Sequence, residues 1–334
     1  MPKTQHPQKP SVSPKSEMQK AIESYNKIAK SHAFEKLAAN GNAEAYRYLG
    51  LMTILDAGGF SGSCFDTEGT LILRENDPNP DRTNADYKQA LEYFKTAAEK
   101  GSVEALDNIG QMVAAGCGTP KNSAKALEYF KKGADKGSAR AAFDAGILYR
   151  VGVGVAKDEK KTLEYTQKAA NKGLRLALRF MGNFYGTGKG VAKDLAKARE
   201  YFQKASDRGD IEGSYRLGVM YKKGEGGPKD LAKAIEYFKK AKGYEDTDAQ
   251  LVDTYAQLGD MYLNGQGVSK DYGIALKYLQ KAADNKSKSA LTYYDLSLMY
   301  SNGWGVSVDK DKATAYMQEA CYKGYEKACT ILSK

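Results

Sequence analysis

Apolar residues recur along most of the chain with the spacing of amphipathic helices. Segments such as ARAAFDAGILYR and LAKAREYFQKAS each place apolar side chains on one side of a helix. A glycine-rich stretch follows the first kind of segment, and an aspartate opens the second kind. Because a helix-opening Asp accepts bonds from free N–H groups, we expect Asp158, Asp194, Asp230 and Asp271 to cap second helices. The pattern predicts helix–loop–helix units. In each unit we call the helix before the glycine-rich stretch the first helix and the helix after it the second helix.

The glycine-rich stretches are one motif written six times: AAGCGTPKN, RVGVGVAKD, YGTGKGVAKD, KKGEGGPKD, LNGQGVSKD and SNGWGVSVD. Upstream of each stretch, and once more near the N-terminus, a small residue follows an apolar one and marks what we call the repeat position. The repeat positions are Gly50, Gly110, Gly146, Gly182, Gly218, Gly259 and Ser297. The central steps are 36 residues, the first is 60, and the last two are 41 and 38. Such self-similarity indicates a repeat array.

One of these stretches, YGTGKGVAKD, also invites comparison with a phosphate-binding loop. That loop requires G-x-x-x-x-G-K-[ST] between a strand and a helix. Lys189 does follow Gly188, but Gly190 stands in place of the Ser or Thr, and Asn183 in place of the first glycine. The stretch is therefore interpreted as a turn between helices.

The combined pattern L-G-x-x-Y, G-x-G-V-x-x-D and K-A-x-x-Y-x-x-K-A resembles the Sel-one-like repeat family, a relative of the tetratricopeptide repeats. RLGVMYKKGEGGPKDLAKAIEYFKKA and QLGDMYLNGQGVSKDYGIALKYLQKAAD match it closely. The resemblance extends from about Ala43 to the C-terminus. It implies an all-α fold, a right-handed α/α superhelical solenoid of about seven helix-pair repeats. It is specific for the fold and weakly specific for function.

The expected organisation has four parts. A disordered lead-in over 1–15 precedes one or more capping helices over 16–42, the repeats over 43–323 and a capping helix over 324–334. An insertion over 58–86 separates the two helices of the first repeat, and it is either a tolerated surface loop or a recognition loop. A shorter insertion, GYEDTDAQ, is expected to extend a turn.

Tyrosines also follow the repeat, and the chain has 24 Tyr against 10 Phe. Tyr149, Tyr185, Tyr221, Tyr262 and Tyr300 lie three residues after successive repeat positions. Because this recurrence matches the helical period, they are predicted to lie in the core.

Charge narrows the range of partners. Among the 334 residues, 51 Lys and Arg exceed 41 Asp and Glu, so the chain carries a net charge of +10 and favours acidic partners. The lysines alternate with acids on helical segments, and no nucleic-acid motif occurs, so no nucleic-acid partner is expected. No apolar run is long enough for a membrane span. The N-terminus lacks a secretion signal, so either the protein stays where it is made or a leader has been removed.

The four cysteines fall into two pairs. Cys321 and Cys329 lie eight residues apart in EACYKGYEKAC, a spacing similar to that of the cysteine-rich Sel-one-like proteins of Helicobacter, whose repeats are disulfide-linked. Cys64 and Cys117 follow the first helices of adjacent repeats, so their loops can meet. The alternative is four reduced thiols in the cytoplasm. An even count with a family-like pair favours an oxidising compartment, so the protein is expected to be periplasmic or secreted.

No catalytic constellation is recognisable. The two histidines, His6 and His32, belong to no Cys/His or Ser/His arrangement, and the cysteine spacing has no histidine to complete a metal site. The Helicobacter relatives have been linked to β-lactam binding or hydrolysis, but this chain supplies no nucleophile for that chemistry, which stays a remote alternative. No enzyme activity, cofactor or metal is expected.

The tetratricopeptide-type geometry that the resemblance implies gives an expected partner-binding wall. Its inner surface takes the residues three before, one after and four after each repeat position. The expected binding residues are Arg47, Asp107, Phe143, Ile147, Arg150, Arg179, Asn183, Tyr215, Lys222 and Tyr294. Gln111, Val219 and Asp260 occupy further wall positions. Aromatic and Arg side chains often dominate interfaces, so this wall would suit a partner with an acidic or apolar surface. The alternative for each residue is packing against a neighbouring second helix.

The resemblance implies a protein that binds another protein. Family members act as adaptors in signalling and membrane-protein quality control, and as secreted bacterial host-interaction factors. Some bacterial members look like immunity proteins encoded beside lipase or phospholipase toxins of the type VI secretion system. The chain is interpreted as a monomeric immunity protein that neutralises such a toxin in the periplasm. The alternative is a periplasmic or secreted adaptor or host-interaction factor.

Overall fold

The fold is helical wherever the structure, a computed structural model, describes the chain, in residues 33–56, 85–244 and 246–333. These ranges contain sixteen α-helices and no strand. The helices are α1 Ala33–Ala39, α2 Ala43–Asp56, α3 Ala85–Glu99, α4 Val103–Ala115, α5 Ser123–Asp135, α6 Ala139–Val151, α7 Glu159–Asn171, α8 Arg175–Thr187, α9 Leu195–Ser206, α10 Ile211–Lys223, α11 Leu231–Lys240, α12 Thr247–Asn264, α13 Tyr272–Asp284, α14 Ala290–Asn302, α15 Lys310–Tyr322 and α16 Glu326–Leu332. The all-α fold predicted from the sequence is confirmed.

The chain divides into two compact units near the end of α8. The first unit extends to Phe184 and includes Gly188–Ala192, and the second comprises Tyr185–Thr187 and the chain from Lys193. Within the first unit each first helix packs against the second helix that follows it: α2 with α3, α4 with α5 and α6 with α7. The second unit repeats this with α10 and α11, α12 and α13, and α14 and α15. Consecutive pairs thus stack as in a solenoid.

The predicted helix caps are confirmed. The carboxylates of Asp158, Asp194, Asp230 and Asp271 each accept a hydrogen bond from the backbone N–H three residues later, at 2.8 to 2.9 Å. These bonds satisfy N–H groups that a helix start leaves unpaired. The first helices end in left-handed glycines; the N–H of Gly152, with φ of 81°, donates to the carbonyl of Leu148 at 2.8 Å. The glycine-rich stretch is therefore a turn that connects a first helix to the second helix of the same repeat.

The repeat position is where the two helices of a pair come closest. A Cβ atom added to Gly110 would lie 2.5 Å from the Phe130 ring, and one added to Gly218 would lie 2.8 Å from Phe238. Phe130 and Phe238 are fully buried. At the last repeat position Ser297 replaces glycine, and its hydroxyl donates to the carbonyl of Ala313 at 2.7 Å. The glycines at positions 110 and 218 are thus explained by the rings that lie against them.

Stacked tyrosines join the ends of four first helices, α6, α8, α10 and α14, to the second helices that follow them. The ring centroids of Tyr149–Tyr165, Tyr185–Tyr201, Tyr221–Tyr237 and Tyr300–Tyr316 lie 5.4 to 5.7 Å apart. A lysine three residues after the capping position places its ammonium 5.0 to 5.3 Å from the first ring of each stack, as Lys161 does over Tyr149. Of the tyrosines predicted in the core, Tyr149 and Tyr300 are buried, whereas Tyr185, Tyr221 and Tyr262 are half-buried.

The two insertions have different outcomes. Helix α2 ends at Asp56 and α3 begins at Ala85, so all but the last two residues of the insertion predicted over 58–86 lie outside the described part of the chain. The residues inserted near Thr247 lengthen a helix: α12 has 18 residues where α10 has 13. The expectation that this segment only extends a turn is wrong, because its last residues continue the helical hydrogen bonding.

We predict that Gly218→Ala lowers the free energy of unfolding by about 1–3 kcal/mol, because the new methyl group collides with a ring that has no room to move. Gly273→Ala is the matched control, since Gly273 is an exposed helical glycine whose added Cβ would meet only an Asp271 oxygen, at 3.4 Å. That control should be neutral or slightly stabilising. Urea unfolding followed by circular dichroism compares the two, and equal stability of both variants would contradict the explanation.

Candidate functional site

The accessible wall of the first unit centres on Phe180, a residue that the sequence reasoning missed. Its ring packs edge-on against Phe143 with centroids 5.1 Å apart, and it lies 6.4 Å from Phe184. The guanidinium groups of Arg150 and Arg179 lie 4.9 and 5.7 Å from the same ring. Helices α6 and α8 therefore bring three of the predicted binding residues together around one aromatic side chain. We call Phe143, Ile147, Arg150, Arg179, Phe180 and Asn183 the first wall.

Arg150 is the exposed cation of the first wall. It belongs to the last turn of α6, which ends at Gly152. Partial burial of the guanidinium removes some of its hydration, and this desolvation lowers its pKa from the usual value. An arginine stays protonated in proteins, so Arg150 presents a charged, planar group of N–H donors that an aromatic ring holds in place.

A small cavity of about 260 Å³ lies beside Arg150. Arg150, Lys157 and Lys189 bring three positive charges to its lining, Asp158 and Glu159 bring two negative ones, and Phe184 gives it an apolar side. Lys189 is the lysine of the stretch compared above with a phosphate-binding loop, and its ammonium lies 3.9 Å from a carboxylate oxygen of Glu159. The cavity thus carries charges of both signs, with one more basic than acidic side chain, at the edge of the first wall.

A buried polar network lies between α4 and α6 of the same unit. The Gln111 amide donates to the carboxylates of Asp107 at 2.9 Å and Asp144 at 3.0 Å. The Nε atom of Arg140 lies 3.8 Å from the same oxygen of Asp144. Gln111, Asp107 and Asp144 are each at most 5% exposed. The side chain at the wall position Gln111 thus bonds to Asp144, two residues before the next repeat position, across adjacent first helices.

Four of the predicted binding residues are buried: Arg47, Asp107, Phe143 and Tyr294 are each at most 6% exposed. All four lie three positions before a repeat position, where the side chain packs beside a neighbouring helix. The Tyr294 ring, for example, lies 4.7 Å from that of Tyr325. Ile147, Arg150, Arg179, Asn183, Tyr215 and Lys222 keep partial or full exposure. Four of these six belong to the first unit and two, Tyr215 and Lys222, to the second.

The second unit holds Tyr215 and Lys222 by contacts of its own. The Tyr215 ring lies 4.9 Å from Tyr244 and 5.9 Å from Phe238, and burial, with the charge of Asp246, raises the pKa of its hydroxyl. The Lys222 ammonium, on α10, donates to the Gln250 side chain at 2.8 Å and pairs with the Asp253 carboxylate at 2.5 Å. Both acceptors lie on α12, which is the first helix of the following repeat.

Two further aspartates of the second unit lie on adjacent first helices, Asp260 on α12 and Asp295 on α14. Asp295 is only 6% exposed, and its Oδ2 atom has no hydrogen-bond partner among the described residues. Burial, and secondarily the charge of Asp260, raise the pKa of the Asp295 carboxyl to about 7. Sequence reasoning placed Asp260 on the wall but missed Asp295, which lies two residues before its repeat position.

The predicted C-terminal disulfide is present. Cys321 and Cys329 are bonded, with Cα atoms 4.7 Å apart, and join α15 to α16. Cys117 is also disulfide-bonded and fully buried, while Cys64, its expected partner, lies outside the described ranges.

The described ranges show no metal site and no catalytic constellation. No group of three metal-binding side chains occurs in them. They contain no histidine, since His6 and His32 both precede residue 33. None of the helices they contain has the length and apolar character of a membrane span.

Comparison with known proteins identifies the family. The model of the Sel1 repeat matches seven segments, residues 81–102, 103–138, 139–174, 175–210, 211–242, 252–287 and 290–325. The chain belongs to the Sel1 repeat family. Sel1-repeat solenoids are generally scaffolds for protein–protein interaction, and the geometry described above agrees with that role. None of the curated proteins compared with the chain matches it.

Several solved structures are similar to the chain. A protective antigen of uropathogenic Escherichia coli, with an SLR fold, is 25% identical, with a TM-score of 0.52. The match covers 89% of this chain but 57% of the antigen's chain. The cysteine-rich protein B of Helicobacter pylori is 30% identical over 37% of this chain and 91% of its own, with a TM-score of 0.31. An immunity protein of Pseudomonas aeruginosa is 20% identical over 67% of this chain and 82% of its own, with a TM-score of 0.31.

We predict that Asp295→Asn raises the melting temperature at pH 8 but leaves it nearly unchanged at pH 4. The folded Asp295 carboxyl holds its proton up to about pH 7, against 3.8 for the ordinary group. Its stabilising contribution is therefore present below pH 4 and is lost as pH rises through 7. Asparagine mimics the protonated form, so the variant should gain roughly 2–4 kcal/mol at pH 8.

Thermal unfolding at the two pH values provides the measurement, with Asp248→Asn as a control that removes a charge from an exposed position on α12. An Asp295→Asn variant that is less stable than the wild type at pH 8 would contradict the prediction.

Proposed function

We propose that the protein binds another protein through the first wall and catalyses no reaction. The observation that carries the proposal is the packing of Arg150 and Arg179 around Phe180, with Arg150 exposed. Arginine and aromatic side chains contribute disproportionately to protein interfaces because they bury a large area and still offer polar contacts. A ring that already fixes the guanidinium also lowers the entropy cost of binding.

The chemistry of this wall defines a partner with acidic and apolar groups. Arg150 offers paired N–H donors that fit a carboxylate, and Arg179 beside the same ring adds a second positive charge. Phe180 and Ile147, both half-buried, offer apolar surface between the charges. An acidic side chain flanked by apolar residues on the partner therefore fits the first wall.

An oxidising compartment fits this function, and the protein is proposed to be periplasmic or secreted rather than cytoplasmic. The disulfide between Cys321 and Cys329, with Cys117 also bonded, supports this location, because disulfides persist outside the reducing cytosol.

The finer proposal is that the partner is a toxin and that this protein, as a monomer, is its immunity protein. A lipase or phospholipase toxin of the type VI secretion system, neutralised in the periplasm, is the specific candidate. The disulfide-bonded array and its exposed Arg–aromatic wall support a role as a stoichiometric inhibitor.

The second candidate is a periplasmic or secreted adaptor or host-interaction factor. The similarity to a protective antigen of uropathogenic Escherichia coli favours it. Because this chain spans 57% of that antigen's length, any activity of the whole antigen is carried over only as a proposal.

The partner is to be captured from lysate of the native organism under non-reducing conditions and identified by mass spectrometry. A single stoichiometric partner with a toxin domain supports the immunity role, provided that co-expression protects cells that carry the toxin in the periplasm. Several weak partners, or host proteins alone, support the adaptor instead.

We predict that Arg150→Glu weakens binding to the captured partner by about ten-fold or more, because it places a negative charge opposite the partner's acidic group. Lys160→Glu is the matched control, since Lys160 is an exposed residue of second helix α7 and the change in net charge is the same. Calorimetric titration measures both affinities. Equal affinities for the two variants would exclude the first wall as the binding surface.

A further inference from the structure

The carboxylate pair of the second unit is unusual because its buried member lacks a donor. Asp295 is 6% exposed, and no hydrogen bond reaches its Oδ2 atom within the described ranges. A buried carboxylate without a donor is costly, and buried polar groups in proteins are nearly always hydrogen-bonded. Asp260, its neighbour on α12, is half-buried and accepts a hydrogen bond from the Asn264 side-chain amide at 2.6 Å, so the pair is reached from the surface at Asp260.

The first unit shows what the same positions hold when the site is complete. Asp144 lies two residues before its repeat position, as Asp295 does, and it is equally buried at 4% exposure. There the Gln111 amide, one residue after the preceding repeat position, donates to Asp144 at 3.0 Å. Arg140, one turn earlier on the same helix, adds a guanidinium 3.8 Å away. This buried carboxylate is supplied with an amide and a cation by its own chain.

Both donors are replaced in the second unit. Asp260 occupies the position of Gln111, so a second negative group stands where the amide donor was. Leu291 occupies the position of Arg140 and is 41% exposed. Asp295 is therefore next to an acid, Asp260, and an exposed apolar residue, Leu291, and no residue takes the place of the Arg140 cation.

A neighbouring contact shows that an ammonium group suits this surface. The Lys222 side chain crosses from α10 to α12, where it pairs with Asp253 and donates to Gln250. Only 13% of the lysine side chain is exposed. At the next interface, between α12 and α14, no lysine or arginine of the described chain forms an ion pair with Asp260 or Asp295.

We propose that Asp260 and Asp295 form a receptor for the side chain of a lysine or arginine from a partner protein. The incoming N–H groups would take the place that Gln111 and Arg140 hold in the first unit, and Leu291 would contact the aliphatic stem. The inference rests on the proposed function only for the source of the cation. The proposed partner would therefore carry an acidic group that contacts the first wall and, in addition, a basic side chain that contacts Asp260 and Asp295.

The pH response of such a receptor follows from the groups around it. Burial is the main reason why the pKa of Asp295 is raised to about 7, and among the described residues Asp260 on α12 is the one charged group that adds to the shift; none on α13 or α15 contributes. A cation binds the ionised carboxylate, so affinity should rise as Asp295 loses its proton. Between pH 6 and pH 8 the ionised fraction increases about ten-fold, and the affinity should follow.

The experiment uses the full chain labelled with ¹³C at the aspartate carboxyl carbons and followed by NMR. The probes are n-butylammonium chloride and ethylguanidinium chloride, with sodium chloride at equal ionic strength as the blank. We predict a saturable shift of the Asp295 resonance in the wild type, with affinity at pH 8 about ten-fold above that at pH 6.

Two variants make the test specific. Asp260→Gln restores the amide of the first unit, so it should keep the fold and weaken probe binding about ten-fold or more. Asp248→Asn removes one charge from an exposed position of the same helix and should leave binding unchanged. Equal, non-saturating shifts in the wild type and Asp260→Gln would overturn the proposal. Because the probes need no partner, that result would leave the first wall untouched, and failure of Arg150→Glu would leave this receptor untouched.

Discussion

The close approach of the two helices of a pair at repeat glycines such as Gly110 and Gly218 is the constraint on which the other features depend. Where Gly110 meets Phe130 and Gly218 meets Phe238, the distance leaves no room for a side chain on the first helix. That contact fixes the face of the first helix that packs against its second helix. The wall positions lie on the remaining faces of the first helix, and their spacing from the repeat glycine sets which residues they are.

The two units use the same wall positions for different purposes. In the first unit, one interface is closed by the Gln111–Asp144 bond while the next presents Arg150 over Phe180. In the second unit, Lys222 closes one interface with Asp253, whereas at the next interface the buried Oδ2 atom of Asp295 has no donor among the described residues. A repeat protein acquires binding sites in this way: one or two substitutions at equivalent positions turn an internal contact into one that a partner can complete.

The sequence predicted the fold almost completely and the site only in part. Period, capping aspartates and glycine ends are local signals, and Asp158 and Gly152 behave as their neighbours in sequence dictate. Burial at the wall depends on what the adjacent repeat presents: Tyr294 is covered by Tyr325, whereas Arg150 is left exposed. Phe180 and Asp295 were missed because both lie two residues before a repeat position, outside the wall rule. Comparing Gln111 and Asp144 with Asp260 and Asp295, position by position, is the signal that would have found the pair.

The tyrosine stacks have a consequence for observing this molecule. The chain has a single tryptophan, Trp304, whose ring lies 5.3 Å from Tyr272 and nearly parallel to it. Its fluorescence therefore reports on one junction between neighbouring repeats, while the stacked tyrosines give a near-ultraviolet signal spread along both units. Cooperative arrays lose the two signals together, and arrays that open stepwise lose them at different denaturant concentrations. Comparing the unfolding curve from Trp304 fluorescence with that from the tyrosine signal therefore measures how cooperatively the repeats unfold.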